Sequence, residues 1–419
     1  MTGVRQCGKT YIVQKFAKEN YENVVYVNFI LEPDKKSAFS GSIDVDTIIL
    51  NLSALIPNSR FIKEKTCIIL DEIQECKEAR TALKSFQIDG RFDVISTGSL
   101  LGVRGYENRR KEGQDSIPVG YETIIEMYPL DFEEFLWANG INNKVIDSVK
   151  SCFEKETVVP EGIHNAMMEL LYRYVIVGGL PEVVNTFLET KNIELTYQLQ
   201  RNLIAEYEED MIKYADNSDK VRIRECFESI PKQLAKENKK FQYATIRTGA
   251  RAKDYWGCLQ WIEDAGIIHK CYNLQMPELP LAGNALDNIF KVYMADTGLF
   301  VSMLEEGTQA DILQGELLGY KGAIFENLLA DILGKQARKL YYYHKEGGLE
   351  LDFLIRYNGE CVPLECKAVS GRAKSLQTVM GNPEKYHIFH AIKIGDYNIG
   401  RSERLLTLPL YMAFLLSDL

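Results

Sequence analysis

Residues 3 to 10 read GVRQCGKT, a complete G-x-x-x-x-G-K-[ST] pattern, and the chemistry that spacing serves is the holding of a phosphate chain. Gly3 and Gly8 let the backbone close around phosphate, Lys9 brings positive charge to the β and γ groups, and Thr10 offers a hydroxyl to Mg²⁺. Farther on, TCIILDEIQE delivers Asp71 and Glu72 at the end of the apolar run that starts at Cys67. The first carboxylate of such a pair shares the Mg²⁺ with the loop hydroxyl, and the second orients or deprotonates the attacking water. A third apolar stretch, FDVISTG, runs out at Ser99, where a hydroxyl can sense the γ-phosphate.

A second constellation lies near the other end, in LELDFLIRYNGECVPLECKA at residues 349 to 368. Two alternating apolar runs flank Asn358-Gly359, the strongest short signal for a two-residue hairpin turn. In an unbulged register Tyr357 faces Glu360, Phe353 faces Leu364, Asp352 faces Glu365 and Glu350 faces Lys367. Glu350, Asp352, Glu365 and Lys367 then share one face of the sheet. Carboxylates directly opposed across two strands repel, and a divalent cation resolves the conflict. Asp352 and Glu365 would hold Mg²⁺, with Lys367 beside them to stabilise developing charge on phosphate.

These residues need elements to position them. YIVQKFAKE after the loop has helical apolar spacing, so the loop opens a helix whose first amides face the phosphates. NVVYVNFI, residues 23 to 30, reads as a buried strand, giving the order loop, helix, strand, Asp-Glu strand, polar-ended strand. From about residue 141 to 300 the pattern is mostly helical, and VGGLPEVV stops one helix at Gly178-Gly179 before Pro181 opens the next. Residues 241 to 273 outline a helix-turn-helix followed by a wing, with Arg247, Arg251 and Lys253 at the second helix and Lys232, Lys236, Lys239 and Lys240 upstream. That face fits DNA contact or protein packing. RLLTLPLYMAFLL near the end reads as a strand running into a core helix.

The chain of 419 residues is long enough for two or three domains. A formal net charge of −10 excludes a uniformly basic nucleic-acid binder and confines DNA contact to a local patch. Nine scattered cysteines never form C-x-x-C, which argues for reduced thiols rather than zinc or disulfides. No apolar run reaches a membrane span of about 18 residues, and the first residues lack the pattern of a signal peptide. A cytoplasmic location is expected. The five histidines form no ligand-spaced cluster, and NNKVID at 142 to 147 has the wrong spacing to read guanine, so adenine is favoured.

GVRQCGKT, ILDEIQ, VISTGSLLG and PLDFEEFLWANG together resemble the AAA-type P-loop ATPases of bacteria and archaea that are fused to a C-terminal domain of unknown function. In that family VGGLPEVV corresponds to an architectural G-G-[YFL]-P-E motif, and Asp131 stands where Ser or Thr is usual. The resemblance implies another strand and helix ahead of the loop. Here only Met1 and Thr2 precede it, so that strand is expected to be missing beside the Asp71 strand, through a misplaced gene start or a natural truncation that weakens nucleotide binding. Arg104, Arg109 and Arg110 receive no role. The hairpin resembles the D…E-x-K core of the PD-(D/E)xK nuclease-like superfamily, and GYKGAIFENLLADIL places Glu326 on a helix as its accessory acid.

The expected architecture is α/β: a P-loop ATPase domain over 1–140 built on a three-layer parallel sheet, a helical and winged-helix-like domain over 141–300, and a restriction-endonuclease-like α/β domain over 301–419. The expected activity is ATP binding and hydrolysis that drives a conformational switch coupled to a DNA-related domain. Gly3, Gly8, Lys9, Thr10 and Asp71 would bind ATP and its Mg²⁺, and Lys9, Glu72 and Ser99 would act in hydrolysis. Glu326, Asp352 and Glu365, with Lys367, would form the second metal site. The partners in view are nucleotide, DNA, and a protein or second copy of the chain, with no membrane. Two rivals stay open: an Mg²⁺-dependent DNA endonuclease with a regulatory or inactive ATPase part, and a non-enzymatic DNA- or protein-binding module.

Overall fold

The computed structural model describes residues 1–99, 120–213, 215, 217–236, 239–315, 320–345, 347–367 and 373–416. The chain divides into two compact units, Met1–Tyr128 with Asp264–Gly266, and Pro129–Glu263 with Ile267–Leu419. An N-terminal parallel sheet, a helical middle and a C-terminal sheet region make it a mixed α/β protein.

In the first unit, β2 (Asn23–Asn28), β3 (Thr66–Asp71) and β4 (Asp93–Ser96) form a parallel sheet with β3 in the centre. Strand β3 is buried along its whole length, as a continuous apolar run should be. The helices α1 (Lys9–Asn20), α2 (Val45–Leu55) and α3 (Lys77–Asp89) accompany these strands. Val13 and Ala17 of α1 pack with Cys67 and Ile69 of β3. Ile48 and Leu52 of α2 and Ala79, Ala82 and Phe86 of α3 share another cluster with Ile68 and Leu70. Alternate residues of β3 therefore serve the two clusters.

The strand leading into the loop, β1, consists of Thr2 and Gly3 and lies parallel between β5 (Gly98–Ser99) and β6 (Glu126–Met127). The gap expected beside the Asp71 strand is not there, because β3 has β2 and β4 as neighbours. Thr2 and Gly3 pair on both sides, and the Met1 amino group adds a 2.6 Å bond to the Ser96 carbonyl. Gly3 is required by space: a Cβ there would stand 2.3 Å from the Met127 carbonyl oxygen.

In the second unit, helix Glu161–Val177 stops at Gly178 and helix Pro181–Thr190 begins after it, where the sequence places the break. Gly178 has φ 72°, and a Cβ on it would meet the Asp296 carboxylate at 2.2 Å. Asp296 instead accepts from the Gly179 amide at 2.7 Å, and Gly179 approaches the Leu130 carbonyl too closely for any side chain. The architectural reading of this motif has its reason in that contact. Asp131 serves as well as Ser or Thr at its position, since it caps helix Phe132–Ala138 in a reciprocal box with Glu134.

Helices Tyr243–Ile246 and Ala252–Asp264 follow the expected outline, with Gly249 at φ 82° between them. The strand after them, β7 (Ile268–Leu274), is not part of a free two-stranded wing. It lies between β8 (Ala285–Met294) and β9 (Leu340–Lys345) in a four-stranded sheet of order β10-β9-β7-β8, so the middle and last segments share one sheet. The other sheet has the order β11-β12-β13-β15-β14, where β10 is Leu349–Leu351, β11 Phe353–Tyr357, β12 Glu360–Lys367, β13 Ala391–Gly395, β14 Gly400–Ser402 and β15 Leu405–Pro409. After β15 the chain takes a 3₁₀ turn, Leu410–Leu415, rather than a full helix. All nine cysteines are free thiols.

Candidate functional site

Around the loop, Gln6 and Gly8 both take left-handed backbone conformations, at φ 60° and 93°. Such alternation turns successive amides toward one centre and makes an anion nest that runs into the N-terminus of α1. Lys9 arches back over the loop, its Nζ donating to the carbonyls of Gly3 at 3.1 Å and Val4 at 2.8 Å. Burial pushes the Cys7 thiol up, so it stays neutral behind the loop.

Thr10 and Asp71 stand together as expected. The Thr10 hydroxyl lies 3.2 Å from each carboxylate oxygen of Asp71, which is 3% exposed. Adjacent corners of an octahedron of radius about 2.0–2.1 Å stand about 2.9 Å apart, so a small side-chain adjustment lets this pair share one Mg²⁺. The donor set fits the cation: a neutral hydroxyl and a carboxylate whose countercharge comes from no lysine or arginine among the contacts described for it.

Asp71 is instead held by neutral donors. Its oxygens accept from the Tyr26 hydroxyl at 2.6 Å, the Asn28 amide at 3.0 Å, the Glu72 backbone N–H at 3.1 Å and the Thr97 hydroxyl. Burial and the bond to Asp71 push the Tyr26 phenol up to about 12, so it remains a donor. Tyr26, Asn28 and Thr97 were missed in the sequence. The signal for the first two was available, since alternate polar residues at the C-terminal end of an otherwise apolar strand lie level with Asp71. Thr97 sits two residues before Ser99, at the break between β4 and β5, and Ser99 itself is the register partner of Gly3. Glu72 has φ 55° and its carboxylate accepts from the Gln74 amide. A groove of about 730 Å³ in the same unit, lined by Ile12, Phe16, Phe86, Ile124 and Ile125 among others, includes none of Gly8, Lys9, Thr10 or Asp71 in its lining. Arg104, Arg109 and Arg110 lie outside the described residues.

In the second unit the hairpin register is the expected one from Tyr357↔Glu360 to Phe353↔Leu364, with Asn358 and Gly359 both at positive φ. Beyond Phe353 the strand departs from expectation. Asp352 accepts the Cys366 amide with its side chain at 2.9 Å, which takes over a bond the ladder would otherwise use. The chain peels away there, and β10 pairs with β9 instead. Glu350 consequently faces His344 rather than Lys367, and its carboxylate pairs with Lys291 at 2.6 Å.

Glu326, on helix Lys321–Lys335, joins this group. It pairs with Lys239, lies 3.9 Å from Lys291, and accepts from the Tyr293 hydroxyl at 3.1 Å. Lys367 pairs with Glu365 at 2.7 Å. Burial opposes the charge on Glu326, but Lys239 and Lys291 overturn it and hold the carboxyl below its ordinary value. Burial, then the charges of Glu326 and Glu365, push Asp352 well above the usual carboxylate range. Burial also raises Glu365, partly offset by Lys367. Glu365 is 4% exposed, and among the described residues its Oε2 atom has no hydrogen-bond partner. The structure thus brings Glu326, Asp352, Glu365 and Lys367 into one electrostatic group. Lysines meet much of the negative charge, and among the described residues no three His, Cys, Asp or Glu side chains converge as a ligand set. Lys291, 1% exposed on β8, is the member the sequence reading missed. A lone lysine inside the apolar stretch IFKVYM was the available signal.

The basic stretch is partly committed within the chain. Lys236 bonds to Gln242 and Thr245, Lys239 to Glu326, Arg247 to Glu225 and Arg251 to Asp254. Among the described residues no helix is long and apolar enough to cross a membrane.

Comparison with known proteins divides the chain in three. Residues 1–136 match the profile of an AAA domain, residues 168–310 a domain of unknown function (DUF8612), and residues 321–411 a second domain of unknown function (DUF4143). An uncharacterized protein of Haemophilus influenzae is 24% identical over 165 residues, which is 37% of this chain and 37% of that protein, so the chain spans little more than a third of this relative's length. Among solved structures, a Walker-type ATPase of Pyrococcus abyssi superposes with TM-score 0.40 at 14% identity, covering 72% of this chain and 89% of that one. A Vibrio cholerae protein superposes with TM-score 0.17 at 10% identity, covering 94% and 95%. Likenesses this weak leave function to the residues. The first segment thus matches the AAA-domain profile and carries, in its loop, Thr10 and Asp71, the arrangement of a P-loop nucleotide site.

Proposed function

We propose that the first unit binds and hydrolyses MgATP and works as a conformational switch. The observation that carries this reading is the contact of the Thr10 hydroxyl with both oxygens of buried Asp71 at the mouth of an amide-lined loop. Bound Mg²⁺ would link the nucleotide's phosphates to the protein and neutralise their charge. Thr10 and Asp71 would hold it, the loop amides and α1 would hold the phosphates, and Lys9 would swing from the Gly3 and Val4 carbonyls onto the β and γ groups. Glu72, released from Gln74, would orient or deprotonate water, and Ser99 would report the γ-phosphate. Calorimetry with MgATP on the wild-type chain and on Lys9→Ala tests this. Micromolar binding lost in the variant supports the reading, and no heat with the wild type sinks it.

A second reading concerns the group around Asp352. Glu365 Oε2, which has no hydrogen-bond partner among the described residues, favours a cation-binding, nuclease-like site on DNA, reached once the lysine pairing loosens. As arranged, lysines of the chain itself meet much of the charge on these carboxylates. Nicking of supercoiled DNA with Mg²⁺ or Mn²⁺, abolished in Asp352→Ala and Lys367→Ala, is the expected result. Intact DNA with both metals counts against it and returns the second unit to a binding role, through DNA or protein.

A further inference from the structure

Asp71 does not end the chain of contacts that starts at Thr10. Its register partner on β2 is Asn28, 8% exposed, whose side-chain amide is committed at both ends. The Nδ2 donates to Asp71 Oδ2 at 3.0 Å, and Oδ1 accepts from the backbone amides of Ile30 at 3.0 Å and Leu31 at 2.9 Å. Turning the amide over would set an oxygen against the carboxylate and an NH₂ against two N–H groups, so one orientation is fixed. The same turn is closed by the Glu32 amide on the Asn28 carbonyl at 2.9 Å, and the Phe29 amide reaches the Asp71 carbonyl at 3.2 Å. At its tip Ile30 and Leu31 are 46% and 76% exposed, two neighbouring apolar side chains in water.

We propose that Asn28 is a positioning residue that ties the state of the Asp71 carboxylate to the conformation of the Ile30–Leu31 turn. The inference rests on the MgATP reading of this site. Without the cation, Oδ2 accepts from Thr10, Tyr26 and Asn28 together. A cation shared by Thr10 and Asp71 would take the hydroxyl's lone pair, turn its proton away, and draw charge from the oxygen that Asn28 touches. The Asn28 bond is therefore weighted differently in the two states, and the turn that its other end holds carries the difference to the surface. Such partners of a metal-holding carboxylate govern cation affinity by their geometry.

Two variants separate the ends of the amide. Asn28→Ser keeps a short hydroxyl acceptor toward Ile30 and Leu31 but no longer reaches Asp71, and Asn28→Ala loses both. The experiment measures the Mg²⁺ concentration needed for half-maximal ATP binding, together with hydrogen exchange at residues 29–32 with and without MgATP. In the wild type, MgATP should change exchange at the turn. In both variants that response should vanish and the Mg²⁺ requirement should rise about tenfold or more, while Asn28→Ser without nucleotide keeps protection of the turn close to wild type. A purely structural role would lower protection and melting temperature in both variants and leave the Mg²⁺ requirement alone, which overturns the proposal. So does a wild type that binds MgATP with no change at the turn. A wild type that binds no MgATP fails at the earlier step, removing the functional reading and this inference together.

Discussion

Asp71 and Glu326 are both buried carboxylates, and their surroundings are opposite in kind. Asp71 is held by hydroxyls, an amide and a backbone N–H, all neutral. Glu326 is held by the lysines 239 and 291, with Tyr293 as the neutral donor. Neutral donors stabilise a carboxylate while leaving its charge for something else to balance, whereas lysines balance it on the spot. The first arrangement is one that welcomes a cation, and the second already has its cations. Both acidic motifs read as Mg²⁺ sites in the sequence, yet they differ in what the fold supplies next to them.

The largest expected effect comes from removing a resident cation. Lys291→Met leaves Glu350 and Glu326 short of countercharge inside the sheet, and truncating one partner of a buried pair costs about 3–5 kcal/mol. Urea unfolding should show that loss. Asp71→Asn, by contrast, removes a charge that only neutral groups hold, and should change the stability of the first unit by about 1 kcal/mol. If the two substitutions cost the same, the distinction between the surroundings fails.

The next effect is one of pH, and it must be assigned before acid loss is read as protonation of either acidic group. His269 on β7 packs against helix Lys321–Lys335 at Gly334, where a Cβ would stand 2.3 Å from its Nε2, and burial lowers its pKa to about 4. The unfolded imidazole takes its proton near its ordinary value of about 6.5. The unfolded state therefore binds the extra proton first, and stability present above that pH is lost as pH falls toward 4. The loss reaches about 3 kcal/mol over that window. His269→Leu should flatten the slope of stability between pH 6.5 and 4. An unchanged slope would place the acid sensitivity in the carboxylates.

Much of the first site was legible because its chemistry is local in sequence. GVRQCGKT carries the amides, lysine and hydroxyl on eight consecutive residues, and the apolar run before Asp71 fixes the strand end that meets Thr10. Tyr26 and Asn28 come from β2 and Thr97 from the break after β4, and only the pairing of β2 with β3 and that break put them on Asp71. In the second unit the Asn358-Gly359 turn set the register correctly as far as Phe353. The departure at Asp352 was not legible, because it depends on a side chain replacing a main-chain bond and on β9 being free to take Glu350. Lys239 and Lys291 arrive from segments far away in sequence; the apolar run around Lys291 signals a buried lysine, but neither neighbourhood names Glu326 as its partner.

The finest test of the comparison asks whether the lysine-filled site can be made to resemble the other. Lys239 is the natural place to act, because its neighbour Lys291 remains 3.9 Å from Glu326 and keeps that carboxylate from being abandoned. Lys239→Ala makes the group one charge more negative without disturbing helix Lys321–Lys335, β8, β12 or the stretch from β10 to Asp352, where the other members sit. Divalent cation binding should then tighten about tenfold, or 1.4 kcal/mol, as read by Mn²⁺ titration against Asp352→Asn as the control. Tightening that the control lacks would mean that the two sites differ only in which cation the fold admits. Unchanged or absent binding in Lys239→Ala would mean that the carboxylates of the second unit are arranged to hold lysines, and that Glu365 keeps its open oxygen for packing reasons alone.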